Sequence, residues 1–240
     1  MPRPPRAGKP AQDRIHRIRL GSPNAWLYGR PGRWLLVDAG ARLTSPLLLQ
    51  AVASCGCEFR DIALIVATHT HFDHIGGLGH LKRHTDAPVA VHEAEADILA
   101  AAHFVLSDGF RLDAKIKAFA ARHILRKSLG ALDPVAPDIR IREETRLDGF
   151  GFAAAVVPTP GHSDGSLSVL TDDGTLFSGD LIINSRAYSG VWRHMSSYGT
   201  SRRRILDTWR ELLARGVRLI CPGHGPAFSP DLLRRYLENA

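Results

Sequence analysis

The sequence predicts a layered α/β fold, and three features of the 240-residue chain support this prediction. Strand-like and helix-like segments alternate along the chain. A continuous apolar run, DIALIVAT at 61–68, has the length and composition of a strand buried on both faces. Turn signals at Arg30-Pro31-Gly32 and Asp172-Asp173-Gly174 separate apolar segments in the manner of β-hairpins. Layered α/β domains of this length commonly form one unit.

The first part of the chain alternates strand and helix signals. Residues 14–20 alternate polar and apolar side chains, as a half-buried strand does. Ser45-Pro46 supplies an N-cap and a first helical residue for an apolar helix that stops near Gly56. Further strands are predicted at 24–30, 33–40, 61–68 and 88–92, with a short helix within 75–84.

The second part begins with a long helical stretch. Residues 93–129 have a helical pattern that Asp108-Gly109 breaks into two pieces, and a lid over a site is one use for such an insertion. Strands are then predicted at 139–147, 152–158, 166–170, 175–179 and 217–222, with a helix at 201–215 and a short final helix. We expect one domain over residues 14–240, preceded by a flexible, basic, proline-rich tail at residues 1–13.

Composition limits the classes of function. The net charge of +7 comes from scattered arginines, with no RGG repeat and no aromatic-interleaved basic stripe, so a solvated surface is favoured over a nucleic-acid partner. No uncharged apolar stretch of about 18 residues is present, so we expect no membrane span. The N-terminus lacks the apolar run of a secretory signal, which predicts a cytoplasmic protein. Cys55, Cys57 and Cys221 are expected to be reduced thiols. The sequence is compatible with a homodimer.

The main chemical signal is the segment His69-Thr70-His71-Phe72-Asp73-His74, which follows the buried strand directly. Three imidazoles and one carboxylate within six residues are ligands suited to zinc or iron rather than to magnesium or calcium. Six residues of one loop cannot direct four ligands at one ion without strain, but they can divide them between two adjacent ions. The following Gly76-Gly77 lets the chain turn tightly beside such a site.

Three later signals have the same placement at the end of an apolar strand, where sheet-based folds collect functional groups. Pro160-Gly161-His162-Ser163 follows AAAVV and its next two residues, Ser178-Gly179-Asp180 follows TLF, and Cys221-Pro222-Gly223-His224 follows VRLI. Each of these three motifs alone is weak evidence for a metal site, because a histidine beside glycine is more often a turn residue than a ligand. Their order behind the first cluster makes the set specific.

The ordered set resembles the metallo-β-lactamase superfamily. HTHFDHIGG is similar to its HxHxDH signature, and GHS, SGD and PGHG are similar to its later metal-binding motifs. The resemblance extends from about residue 15 to about residue 230. It implies an αββα sandwich with metal ions at one edge, which agrees with the predicted order of elements.

The resemblance also implies roles for individual residues. It assigns His69, His71 and His162 to a first metal, Asp73, His74 and His224 to a second, and Asp180 to a bridge between them. We expect two divalent ions, zinc first, with iron and manganese as alternatives. Asp38 matches an acidic position that supports the metal-binding loop.

A pair of metals about 3.5–4 Å apart implies hydrolysis by a metal-bridging hydroxide. We expect Asp73 to pass a proton to the leaving group. Tyr188, Trp192 and Tyr198 are candidates for the substrate pocket, where Tyr188 could hydrogen-bond a developing oxyanion as in some lactonases of the family. Core packing is an equal alternative for these aromatic residues.

The implied substrate is a small ester, lactone or thioester. Hydroxyacylglutathione hydrolases of the family bind glutathione largely through a C-terminal helical domain, and only sixteen residues follow His224, so we do not expect that activity. Class B β-lactamases are exported and lack the bridging aspartate, so we do not expect antibiotic hydrolysis either. The sequence leaves open a persulfide dioxygenase with one Fe(II) at His69, His162 and Asp180. A phosphodiesterase or nuclease and a metal-binding protein without turnover are further alternatives.

Overall fold

Two β-sheets form the centre of the computed structural model, which describes residues 13–103, 105–106, 108–110, 112, 114–116, 118–119, 132–185 and 194–238. The first sheet has six strands in sequence order, antiparallel from β1 to β3 and parallel from β3 to β6. Its strands are β1 (Arg14–Arg19), β2 (Asn24–Arg30), β3 (Arg33–Val37), β4 (Ile62–Val66), β5 (Val89–His92) and β6 (Ile139–Ile141).

The second sheet has five strands in the order β11-β10-β9-β8-β7, and only the β10–β11 pair is parallel. Its strands are β7 (Thr145–Arg146), β8 (Ala154–Pro158), β9 (Leu167–Thr171), β10 (Thr175–Gly179) and β11 (Leu219–Pro222). Because β9 runs opposite to both β8 and β10, the carboxyl ends of β8, β10 and β11 lie at one edge of this sheet.

Helices cover the outer faces of both sheets. Six α-helices lie wholly within the described residues: α1 (Ser45–Ser54), α2 (Phe72–Ile75), α3 (Leu78–Leu81), α4 (Glu93–Ala100), α5 (Arg202–Ala214) and α6 (Asp231–Glu238). Residues 112, 114–116 and 118–119 are also helical. No helix in these described ranges is long and apolar enough to cross a membrane.

Alternation along the strands divides the core into three layers, because successive side chains of a strand point to opposite faces. In β3, Leu35 and Val37 pack against the second sheet, whereas Trp34 and Leu36 pack under the helices of the first sheet. In the second sheet, the outward Leu176 packs with Trp209 of α5. Buried faces on both sides explain the nearly continuous apolar strands. The structure therefore has the predicted αββα arrangement.

The two sheets meet at the edge that carries the predicted site. The backbone N–H of Leu167, at the start of β9, donates to the carbonyl of Thr68, 2.7 Å away, just beyond β4. The loop after β4 in the first sheet thus lies beside the loops that follow β8 and β10 in the second.

Two predicted elements differ from the structure. The strand predicted at 139–147 is two strands in different sheets: Ile139 pairs with Ala90 of β5, and Thr145 pairs with Val156 of β8. The exposed residues 142–144 cross between the sheets. The first helical piece predicted from residue 93 ends at Ala100, where the chain turns through Ala102 with a positive φ of 52°.

Two other predicted segments lie wholly or partly outside the described residues. They are 120–129 of the helical insertion and 1–12 of the tail. Asp13, the last residue of the predicted tail, forms an ion pair with Arg30 at 2.7 Å.

Candidate metal centre

The loop after β4 and the short helix α2 carry four of the predicted ligands. His69 and His71 lie on the loop, and Asp73 and His74 lie on α2. The turn after α2 requires glycine, because a Cβ at Gly77 would collide with the carbonyl of Ala39. The glycine thus allows the close approach between this turn and the loop after β3.

A first group of three histidines converges on one point. Nε2 of His69 lies 3.0 Å from Nδ1 of His71, and Nε2 of His162 lies 3.1 Å from the same atom. All three side chains are buried. Two of them come from the loop after β4 and the third from the loop after β8, so the group joins the two sheets.

A second group lies next to the first and combines Asp73, His74 and His224. Nε2 of His224 is 3.5 Å from Oδ2 of Asp73. His74 and His224 are fully buried, whereas the Asp73 side chain is 14% exposed. Asp73 is therefore the member of this group that solvent and a substrate can reach.

Asp180 lies between the two groups. Its Oδ2 is 3.3 Å from Nε2 of His224 and 3.9 Å from Nε2 of His162, and its Oδ1 is 3.3 Å from Nε2 of His74. One carboxylate thus faces histidines of both groups. The close approach needs Gly223, because a Cβ at that position would collide with Oδ1 of Asp180.

Hydrogen bonds on the far side of the imidazole rings fix which nitrogen faces the centre. Nδ1 of His162 lies 3.0 Å from the carbonyl of Tyr198, which can only accept, so this nitrogen carries the proton. Nδ1 of His74 likewise donates to Asp38 at 2.7 Å. Thr68 Oγ1 donates to Asp38 and therefore accepts from Nδ1 of His69 at 3.0 Å. The Nε2 atoms of these three histidines consequently face the cluster.

Asp38 organises the first loop through three hydrogen bonds. Its Oδ1 accepts from the backbone N–H of Thr68 at 2.8 Å, and its Oδ2 accepts from Thr68 Oγ1 at 2.8 Å and from His74. Its own backbone has a positive φ of 63°, a conformation that aspartate tolerates better than most residues. Asp38 thereby contacts both Thr68, the residue before His69, and His74, and its supporting role in metal binding stays a prediction.

The charge states of the two groups differ. Burial is the main cause that lowers the pKa of His69, His71 and His162 below the usual histidine value. Burial acts in the same direction on His74, but the carboxylates of Asp180 and Asp38 outweigh it and raise the pKa of His74 well above its usual value. The first group therefore consists of neutral imidazoles, the form that binds metals.

These residues fit a pair of metal ions. Nε2 of His74 and Oδ1 of Asp180 are buried 3.3 Å apart without a well-formed hydrogen bond among the described residues, so a metal ion held by both would replace the proton that Asp180 otherwise favours on His74. Nε2 of His69 and Nε2 of His162 both face Nδ1 of His71, which carries at most one proton to share between them. Imidazole and carboxylate together are the ligand set of zinc and iron sites.

Two polar side chains that contact the loops of the site were not identified from the sequence. Asn24, at the start of β2, donates from Nδ2 to the carbonyls of Pro222 and Gly225 and so holds the loop that carries His224. Glu95 of α4 is buried beside Thr70 and Ser163. A signal for Glu95 was present, since it is in phase with the buried Ala96 and Leu99 on one helix face.

The predicted pocket residues are only partly described. Tyr188 and Trp192 lie outside the described residues. Tyr198 is half-buried, and its backbone contacts the site through the carbonyl that accepts from His162. The role of these side chains in a pocket stays a prediction.

Comparison of the sequence with known proteins finds a matching family and relatives of about 30% identity. The family model described as the metallo-beta-lactamase superfamily matches residues 18–224. An acyl-coenzyme A thioesterase, MBLAC2, of Gallus gallus is 31% identical over 229 residues, which cover 90% of this chain and 77% of the relative. A probable metallo-hydrolase, YqgX, of Bacillus subtilis (strain 168) is 30% identical over 177 residues, covering 73% of each.

Solved structures share the fold. An archaeal metallo-beta-lactamase superfamily protein, ST1585 of Sulfolobus tokodaii, matches with a TM-score of 0.65 and 22% identity over 94% of this chain and 85% of its own. The BLEG-1 B3 metallo-beta-lactamase matches with a TM-score of 0.67 and 21% identity over 93% of this chain and 99% of its own.

Proposed function

Because the chain belongs to the metallo-β-lactamase superfamily, we propose that it is a hydrolase with two metal ions that cleaves a small ester, lactone or thioester. Relatives named thioesterase and metallo-hydrolase support the predicted metal-dependent hydrolase. The observation that carries the dinuclear proposal is the convergence of seven side chains in overlapping groups around Asp180. Zinc is the first choice for the metal, with iron and manganese as alternatives.

The proposed ligand sets follow the geometry of the two groups. His69, His71 and His162 would hold the first ion, Asp73, His74 and His224 the second, and Asp180 both. When bound, a pair of such ions supplies Lewis acidity that activates a water and polarises a substrate carbonyl. The protein's own contribution is to fix the ligands and to exclude bulk water, and six of the seven side chains are buried.

Asp73 is the residue we propose for proton transfer. Its carboxylate is the one side chain of the seven that is partly exposed, and it lies against His224 at the mouth of the second group. In this position it can accept the proton that the attacking water loses. The same proton then passes to the departing alkoxide or thiolate, which leaves as alcohol or thiol.

A thioester with an apolar acyl chain is the substrate class we place first. The relatives named acyl-coenzyme A thioesterase support it. The segment after α4 also offers apolar surface. Val105 pairs with His71 and Gly109 pairs with Tyr198, so this segment begins beside the site. Its continuation exposes Leu112, Ile116 and Phe119 at helical spacing, where an acyl chain could bind.

The test combines metal analysis with a substrate panel. Protein purified without chelator is analysed for metals, then depleted, reloaded with zinc, manganese or iron, and assayed on acyl-coenzyme A thioesters of increasing chain length, esters, lactones and phosphodiesters. We expect about two ions per chain and the highest kcat/KM on a thioester. The variant Asp180→Asn should lose the activity, whereas His80→Gln, which removes a histidine paired with Arg83 outside the site, should retain it.

Two outcomes would overturn the proposal. One iron per chain with oxygen uptake on glutathione persulfide would identify a dioxygenase instead. Stoichiometric metal binding without turnover on the whole panel would identify a metal-binding protein without hydrolase activity. A preference for lactones or simple esters would contradict only the choice of thioester.

A further inference from the structure

We propose that Glu95 is a positioning residue that holds the two loops of the first metal group together across the two sheets. This inference rests on the proposed function, since it concerns the site that His69, His71 and His162 would form. Glu95 lies in the first turn of α4 and is only 5% exposed. Buried glutamates are rare unless hydrogen bonds or charges compensate them.

The contacts of Glu95 reach both loops. Its Oε2 accepts from the backbone N–H of Thr70 at 2.5 Å and from Thr70 Oγ1 at 2.8 Å. Its Oε1 accepts a short hydrogen bond from Ser163 Oγ. Ser166 continues the network, because its Oγ lies 2.8 Å from Ser163 Oγ and accepts from the N–H of Ser163 at 2.9 Å.

The positions of these partners explain the proposed role. Thr70 lies between His69 and His71, and Ser163 follows His162 directly. The loop of Thr70 belongs to the first sheet and that of Ser163 to the second, so one carboxylate joins the two halves of the three-histidine group. Gly165 leaves room for the side chain of Glu95, because a Cβ at that position would lie 2.6 Å from Cγ of Glu95.

The charge of Glu95 adds a second contribution. No described lysine or arginine forms an ion pair with it, and its partners among the described residues, Thr70 and Ser163, are neutral donors. A buried carboxylate without a cation is costly, so its charge favours a cation in the adjacent group of histidines. We therefore expect Glu95 to strengthen binding of the first ion through both geometry and charge, while contributing little to the second.

The experiment measures metal affinity at each group separately. In the His224→Ala background the first group remains intact, and in the His162→Ala background the second does. Metal-free proteins are titrated with Co²⁺ against a chelator, and binding is followed by the absorption bands of the cobalt. We expect Glu95→Gln to weaken Co²⁺ binding about 10–100-fold in the His224→Ala background and by less than about threefold in the His162→Ala background.

Matched variants separate positioning from folding. Asp97→Asn changes a carboxylate of the same helix whose side chain is 90% exposed, and it should leave both affinities unchanged. Ser163→Ala removes one of the three hydrogen bonds and should cause a smaller loss than Glu95→Ala. If Glu95→Ala does not fold, the isosteric Glu95→Gln and Ser163→Ala carry the test, with circular dichroism to check their fold.

Equal loss at both groups, or no loss at the first, would overturn the inference. Its failure is distinguishable from failure of the proposed function. A protein that binds Co²⁺ through a Glu95-dependent group but cleaves no substrate contradicts the hydrolase proposal alone. A protein that hydrolyses thioesters with metal affinities independent of Glu95 contradicts this inference alone.

Discussion

Replacing Asp38 by asparagine changes one atom of the carboxyl group and tests how the second metal group is oriented. Asn tolerates the positive φ of 63° at this position, so the backbone should not be strained. If the amide oxygen stays on the N–H of Thr68, an NH₂ group replaces the oxygen that accepts from His74 at 2.7 Å. The new NH₂ group and the Nδ1–H of His74 are both donors, and they then face each other.

The imidazole of His74 has two ways to respond, and both are unfavourable. If the proton stays on Nδ1, a buried donor loses its acceptor, which costs about 1–3 kcal/mol of folding free energy. If the imidazole keeps its proton on Nε2 instead, the nitrogen that faces Asp180 and the site cannot bind a metal ion. Loss of the hydrogen bond from Thr68 Oγ1 to Asp38 costs less free energy, because the hydroxyl of Thr68 can rotate. We therefore expect metal affinity of the second group to fall about 10–100-fold.

The assay is a Co²⁺ titration of Asp38→Asn in the His162→Ala background, together with urea unfolding of the metal-free variants. Asp148→Asn serves as the control, because that carboxylate is exposed and pairs with Arg146, whose strand partner Ala155 lies near the start of β8, at the opposite end from the loop that carries His162. Wild-type affinity and wild-type stability in Asp38→Asn would refute the deduced orientation of His74.

Three further predictions address other residues. Asp73→Asn should retain the first metal and lose about 10²–10⁴-fold in kcat because its proton transfer is removed; retention of both metals with full turnover would refute the role. Gly223→Ala should displace Asp180 and weaken the second group in the cobalt titration, and unchanged binding would contradict the close packing described here. Burial raises the pKa of Cys57 and of Cys221 to about 12. Ellman's reagent at pH 8 should therefore label neither thiol until the protein is unfolded. Rapid labelling of Cys221 in the native protein would show that it is not a packing residue.

The local parts of the fold could be predicted from the sequence because they depend on neighbours in the chain. Alternation and apolar runs located β1 to β5 and β8 to β11 closely, since burial on one or two faces leaves a direct trace in residue order. The crossing at 142–144 could not be located, because IRIREETRL has strand-like composition throughout. Only pairing with β5 on one side and β8 on the other separates Ile139 from Thr145.

In the candidate site too, residues with neighbouring partners in the sequence were predicted, and a residue with distant partners was not. His69, His71, Asp73 and His74 were identified as a set because they are adjacent in sequence and their chemistry is distinctive. Glu95 was missed although it contacts the same loop, because its partners are 25 and 68 positions away along the chain.

By itself, the sequence determined which side chains are available to bind metals and at which strand ends they lie. It determined this because ligand chemistry and strand periodicity are properties of residues and their near neighbours. The family resemblance already implied that Asp180 lies between the two groups. Only the tertiary structure decided that Asp38 fixes the tautomer of His74 and that Glu95 links the two sheets. These are contacts between distant segments, and packing of the two sheets sets the distances between them.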